Sequence, residues 1–240
     1  MNATEEEEGP PDMPRALTRE FLMEGTLPAI LARASPSLRV LTEEERSASL
    51  RDLLANRPLG TDGVWVFAYG SLIWNPTVHF LESRPAIVQG WHRAFCLSVA
   101  IARGTPENPG LMLGLQPGGS CAGVAFLIGE DVMEQELTLL WRREMVAGGY
   151  IPVWVPLEQD GERFAQGIVF TINPAGPAYV GDLPEAEVVR RLATAKGGLG
   201  SAAEYLFRTR DGLRQLGMAD PLVERLGELV TTAQRNAASA

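Results

Sequence analysis

From Val64 to Thr171 the chain reads as short apolar runs, each cut off by Gly, Pro or polar residues, and this succession restricts the fold more than any other feature. The runs fall at 64–68, 85–91, 94–101, 111–116, 121–128, 151–156 and 164–171, with "NPG" and "PGGS" as turn signals. Most of the gaps are too short for a crossover helix, so antiparallel pairing is expected in place of βαβ units. One helix interrupts the runs at about 131–147, and two or three more occupy Leu183 to about Asn236. The expected class is α+β, with a strongly bent sheet or small barrel flanked by helices.

Ahead of this region the pattern is different. Residues 1–16 carry four consecutive Glu and several Pro and are expected to be a disordered acidic tail. Residues 17–60 form helical pieces, with Thr18 as a cap in "LTREFLMEG" and a capping box of Thr42 and Glu45. This segment has too little apolar surface to fold alone, so it is expected to pack on a main domain spanning 61–236. No stretch approaches the roughly 18 apolar residues of a membrane span, and the N-terminus lacks the basic flank and apolar core of a signal peptide. The expected compartment is the cytoplasm, without a membrane partner. The net charge is -9 and no Lys/Arg cluster tracks a phosphate backbone, which argues against nucleic acid. Cys96 and Cys121 lie in apolar runs, and with only His79 and His92 besides, no metal-binding spacing exists. Buried reduced thiols are the expectation, with both histidines structural.

Two stretches stand out. In "VWVFAYGSLIWNP" a strand-like run ends at Tyr69-Gly70-Ser71 and returns at once to Leu72, Ile73 and Trp74. The chain either merely turns there or bares its backbone for a ligand. In "GEDVMEQELTLLWRREMVAGGYIPVW", Asp131 and Glu134 make a plausible capping pair and Gly148-Gly149 a stop. On a helical wheel with Met133 at zero, Leu137, Leu140 and Trp141 fall at about 40°, 340° and 80°, and Glu144 at about 20°. Glu134, Glu136, Arg142 and Arg143 fall away from that centre, where solvent is expected. Glu144 either reaches water or an arginine from the last turn, or is a half-buried carboxylate with a raised pKa, as a general base near neutral pH requires. Ser71 is a poor nucleophile candidate, since no G-x-S-x-G elbow surrounds it. "AKGGLGSAAEYL" lacks the G-K-[ST] of a phosphate loop and reads as a Gly-rich link into a helix bearing Tyr205. The five Trp are expected in the core.

Taken together, "FAYGSLIWNP", "HRAFCLSVAIARGTPENPG", "LLWRREMVAGGY" and "AEYLFRT", in this order and spacing, resemble the ChaC-type γ-glutamylcyclotransferases from about Val64 to about Leu229. The helical N-terminal segment also resembles bacterial members. The resemblance implies a small β-barrel with surrounding helices, and cleavage of glutathione to 5-oxoproline and cysteinylglycine without metal or cofactor. It implies Glu144 as the base, Tyr69, Gly70, Ser71 and Leu72 as the substrate-holding loop, and Arg93 and Tyr205 as further substrate-binding positions. The family usually has Gly where this chain has Ala68. A positive φ there would cost Ala about 1 kcal/mol, whereas the last residue of a strand tolerates the methyl.

The residue types suit that chemistry. In a γ-glutamyl peptide the α-amine attacks the γ-carbonyl of the same residue, so the enzyme mainly folds the glutamyl arm into a near-attack shape. A carboxylate must take the proton of the α-ammonium and return it to the leaving amine. Backbone N–H groups of a Gly-Ser-Leu turn can serve the oxyanion and the α-carboxylate. Two alternatives keep the site and change its use: cyclisation of other γ-glutamyl amines or amino acids, or a non-catalytic γ-glutamyl-binding module.

Overall fold

The computed structural model describes residues 13–58 and 62–239. The expected tail therefore lies largely outside the described residues, as does the expected boundary at 60/61. Of residues 13–16, assigned to that tail from sequence, Met13 packs on an apolar cluster and Arg15 and Ala16 are exposed.

The seven apolar runs form five long strands that close into a barrel. They are β1 (Val64–Ala68), β2 (Glu82–Val99), β3 (Gly110–Ile128), β4 (Tyr150–Gln159) and β5 (Glu162–Ile172), in the order β1-β3-β2-β4-β5. All neighbours are antiparallel except β1 and β5, which pair in parallel at Trp65↔Gly167 and Val66↔Ile168. "NPG" leads into β3 as expected, but "PGGS" is not a turn. Residues 117–120 continue β3, facing Gln89 to Trp91 of β2 across a register shift. Gly90, Gly118 and Gly119 take φ of 79°, 103° and 66° there. These glycines bend the ribbon at a bulge instead of ending it, which is why four expected strands are two.

Strand β1 is buried along its whole length because it is covered on both faces. Trp65 and Phe67 join a cluster with the three C-terminal helices, whereas Val64, Val66 and Ala68 pack with Leu137, Leu140 and Trp141. The methyl of Ala68 is thus part of the core. Its residue pairs with Val124 as the last of the strand and is not among the positive-φ positions, so the substitution carries no backbone strain.

Before the barrel come α1 (Arg19–Glu24), α2 (Leu27–Ala34) and α3 (Glu43–Ala55). Thr18 caps α1, accepting from Phe21 N–H, and Thr42 with Glu45 closes the expected capping box of α3. Helix α4 (Met133–Glu144) joins β3 to β4. It starts at Val132 without a side-chain cap, so Asp131 and Glu134 do not form the expected pair. Helices α5 (Glu185–Thr194), α6 (Ala202–Gln215) and α7 (Pro221–Ala238) complete the chain, with a two-residue hairpin, β6 (Lys196–Gly197) and β7 (Gly200–Ser201), between α5 and α6. Among the described residues, no helix is long and apolar enough to cross a membrane.

The extension packs on α4. Arg19 forks onto Glu136 at 2.5 and 2.6 Å, and His79 N–H donates to the same carboxylate. The side chain of Glu136 is 1% exposed, which corrects its expected place in solvent. Arg143 is buried likewise. The wheel describes a helix with one covered face, whereas α4 lies between the barrel, the extension and the loop after β1. Arg19 holds the Glu136 carboxyl below its ordinary range despite the opposing effect of burial, so the pair is ionised at neutral pH.

Candidate active site

Strand β1 ends at Ala68, and Tyr69-Gly70 leads into a single turn of 3-10 helix over Ser71–Ile73. Within the turn Ile73 N–H donates to Gly70 O and Asn75 N–H to Ser71 O, leaving the N–H groups of Ser71 and Leu72 outside its own bonds. Gly70 is needed for space. A Cβ there would sit 2.8 Å from the hydroxyl of Tyr205. That ring is fixed by edge contacts with Trp74 and Phe95, so it cannot give way freely. Gly70→Ala is expected to displace the Tyr205 hydroxyl and lower activity by about tenfold or more, with about 1–3 kcal/mol of lost stability from overpacking. Steady-state turnover and urea unfolding of the variant check this.

Glu144, the last residue of α4, faces the turn. Tyr69, Gly70, Ser71, Leu72, Glu144 and Tyr205 line one recess together with Leu113, Tyr150 and Phe170. The recess has a volume of about 20 Å³, room for about one water. Ser71, Glu144, Tyr150 and Tyr205 also line a wider cavity of about 270 Å³, so the two form one cleft with the carboxylate at the constriction. The Glu144 side chain is 14% exposed. Burial pushes its pKa up, and the adjacent guanidinium of Arg143 opposes the shift.

Arg143 is the residue that the sequence reading missed. Its Nε is 2.9 Å from Glu144 Oε1. Its remaining nitrogens donate to Ser71 Oγ at 2.9 Å, Thr77 Oγ1 at 3.1 Å and Asn75 O at 2.5 Å. One buried cation thereby fixes both the carboxylate and the turn opposite it. The signal for it was adjacency: an Arg beside a core-facing Glu at a helix end sits where a loop must pack.

Three tyrosines surround Glu144, and their hydroxyls differ. Tyr69 donates to Phe170 O at 2.6 Å and Tyr150 to Leu113 O at 2.8 Å, so both protons are committed. The Tyr205 hydroxyl accepts from Leu113 N–H at 3.4 Å, which leaves its proton available to the cleft. Burial holds its pKa at about 12, so it remains a donor at neutral pH. Trp74 ties the turn to α6 by donating to Thr209.

Arg93 stands apart. Its guanidinium donates to Tyr69 O and Ala122 O, each at 2.7 Å, and pairs with Asp220, the N-cap of α7. It supports the loop from behind and does not line the cleft. Cys96 and Cys121 are buried and unpaired, and burial pushes the Cys121 thiol up to about 11. Among the described residues no group of His, Cys, Asp or Glu is placed to hold a metal ion.

A closed, mostly antiparallel barrel with a buried carboxylate facing a strand-end turn defines a specific class of proteins. Residues 64–233 match the family model described as ChaC-like protein, and the chain belongs to that family. It is 42% identical over 219 residues to the glutathione-specific γ-glutamylcyclotransferase of Escherichia coli K12, covering 91% of this chain and 93% of that protein. It is 33% identical to glutathione-specific γ-glutamylcyclotransferase 1 of Danio rerio, over 65% of this chain and 81% of that one. The crystal structure of a selenomethionine-labelled γ-glutamyl cyclotransferase specific to glutathione from yeast superposes with a TM-score of 0.65 at 25% identity, covering 72% of this chain and 97% of that chain. The barrel is therefore the γ-glutamylcyclotransferase fold.

Proposed function

We propose that the chain degrades glutathione as a γ-glutamylcyclotransferase, releasing 5-oxoproline and cysteinylglycine, with Glu144 as general base and acid. The observation that carries this reading is the Glu144 carboxylate, buried yet open to the cleft, opposite the Gly70–Ser71 turn. Family membership and the names of the relatives support the choice of substrate.

The γ-glutamyl arm enters from the wider cavity toward the constriction. Glu144 takes a proton from the substrate's α-ammonium, and the free amine attacks the γ-carbonyl carbon. A C–N bond forms within the glutamyl residue as the carbonyl oxygen gains negative charge. The N–H groups of Ser71 and Leu72 and the free hydroxyl proton of Tyr205 are the donors for that oxygen and for the α-carboxylate. The amide bond to cysteine then breaks as Glu144 gives that proton to the leaving nitrogen. The attacking nitrogen, on becoming the lactam N–H, sheds a second proton that Glu144 passes to the freed amine, which leaves as an ammonium. The lactam is 5-oxoproline. Two protons move from the attacking to the leaving nitrogen and every atom of both products comes from the substrate, so the scheme calls for no cofactor.

Purified protein incubated with glutathione is expected to release 5-oxoproline and cysteinylglycine in equal amounts, measured by chromatography. A panel of γ-glutamyl amines and amino acids should react much more slowly. Equal rates across that panel would favour the broader γ-glutamyl substrate class, and binding without product would favour a non-catalytic module.

A further inference from the structure

The cleft has a wall that lies outside the residues matched to the family model. The match to that model begins at residue 64, yet Arg15, Leu17, Leu27, Leu31 and Leu38 line the wider cavity together with Ser71 and Glu144. They belong to the N-terminal extension. Leu27 and Leu31 are buried in a cluster with Ile101 and Leu139, so the wall rests on the segment that follows β2 and on α4. It is also fastened to the active turn. Asn75 Nδ2 donates to Leu17 O at 2.9 Å, and Arg19 donates to Thr77 O as well as to Glu136. Asn75 and Thr77 are the same residues that receive Arg143.

Charge points to what the wall meets. The protein carries a net charge of -9, but the charged side chains lining this cavity are Arg15, Arg103, Arg143, Arg208 and a single acid, Glu144. Arg103 and Arg143 are engaged by Glu204 and Glu144. Arg208 lies over the Trp74 ring at 4.0 Å, 3.6 Å from Glu204. Arg15 is exposed and makes no ion pair among the described residues. A cationic rim on an acidic protein selects an anionic ligand, and the apolar floor between rim and constriction suits a small uncharged side chain.

We propose that the extension is the binding site for the leaving half of the substrate. Leu17, Leu27 and Leu31 pack against the cysteinyl side chain, and Arg15 with Arg208 meets the terminal carboxylate. Resting on the cyclotransferase reading, this assigns the two halves of glutathione to two parts of the chain. The barrel and its turn read the glutamyl group, and residues 13–38 with Arg208 of α6 read what is expelled.

Two variants test it in the full-length protein. Arg15→Glu, at an exposed position, should raise KM for glutathione about tenfold through charge reversal while kcat changes less than twofold. With glutathione whose terminal carboxylate is a carboxamide, the wild type should already show the raised KM and the variant should add nothing. Leu31→Trp, which fills the floor, should raise KM for glutathione and leave γ-glutamylmethylamide unaffected, with thermal melting to check folding. An equal effect of Arg15→Glu on acid and amide, or no effect of either variant, overturns the assignment. If the wild type forms no 5-oxoproline at all, the cyclotransferase reading falls separately. Calorimetric titration of wild type and Arg15→Glu with glutathione and its amide then decides the wall by binding alone.

Discussion

Glu144→Gln is expected to fold normally and to lose 5-oxoproline release by a factor of about 10² to 10⁴, the range that a positioned general base supplies. The amide keeps the shape of the carboxyl group and can still accept from Arg143 Nε, which lies 2.9 Å from Oε1. It cannot take the α-ammonium proton. Stability should change little, because two effects oppose each other. Burial raises the Glu144 pKa, so the folded state binds more protons than the unfolded one as pH rises through that range. The stability contributed by the protonated form is present below the ordinary carboxylate pKa and lost above the raised one. Gln removes that loss but replaces the ion pair by a hydrogen bond to a neutral amide, while Arg143 keeps its bonds to Ser71, Asn75 and Thr77. The same shift sets the pH profile of the wild type. As the proposed base Glu144 must be ionised, so the acid limb of kcat/KM should lie above the ordinary carboxylate range and be absent in the residual activity of Glu144→Gln. Turnover from pH 4 to pH 8, with unfolding curves for both proteins, checks each part. Near wild-type turnover in the variant would remove Glu144 from the base role.

Much of this arrangement is legible in the residues, for reasons that differ from place to place. The wheel puts Glu144 in the core stripe because α4 ends against the cleft, and a helix end is where a carboxylate can be buried yet reached. The turn after β1 is visible because Gly70 breaks an apolar run, although the structure assigns it a different need: room for Tyr205, which is distant in sequence. Arg93 illustrates the opposite case. Its place on β2 is correct, but its acceptors at Tyr69, Ala122 and Asp220 come from three elements, and a local pattern cannot say which side of a barrel wall a side chain serves. The bulge at Gly118 and Gly119 resembles a turn in the sequence because two glycines end a strand as readily as they bend one. The burial of Glu136 and Arg143 escaped the wheel because their covers are distant in sequence: Arg19 of the extension on Glu136, and Ser71, Asn75 and Thr77 of the loop after β1 on Arg143. Non-local partners, not local propensity, decide these positions.

Arg143→Met is expected to be the most destabilising single change at the site, by about 3–5 kcal/mol, the cost of breaking a buried ion pair by removing one partner. The guanidinium is buried and donates to Ser71 Oγ, Thr77 Oγ1 and Asn75 O besides pairing with Glu144. Met fills the volume and supplies none of these bonds. The loss has a pH signature that a packing defect lacks. Arg143 opposes the rise in the Glu144 pKa, so without it the carboxyl should titrate at still higher pH. The variant's folded state then holds its extra proton over a wider range, and its stability deficit against wild type should grow as pH rises from 5 to 8. In turnover the acid limb of kcat/KM should move to higher pH, with part of the lost activity recovered on the alkaline side. The unrecovered part measures the displaced turn, since Ser71 and Leu72 no longer face the carboxylate in register. Adding Glu144→Gln to Arg143→Met should restore part of the stability at pH 8, because the unpaired buried charge is gone. An acid limb that coincides with that of wild type would show that Arg143 holds only the turn, and that burial alone sets the proton affinity of Glu144.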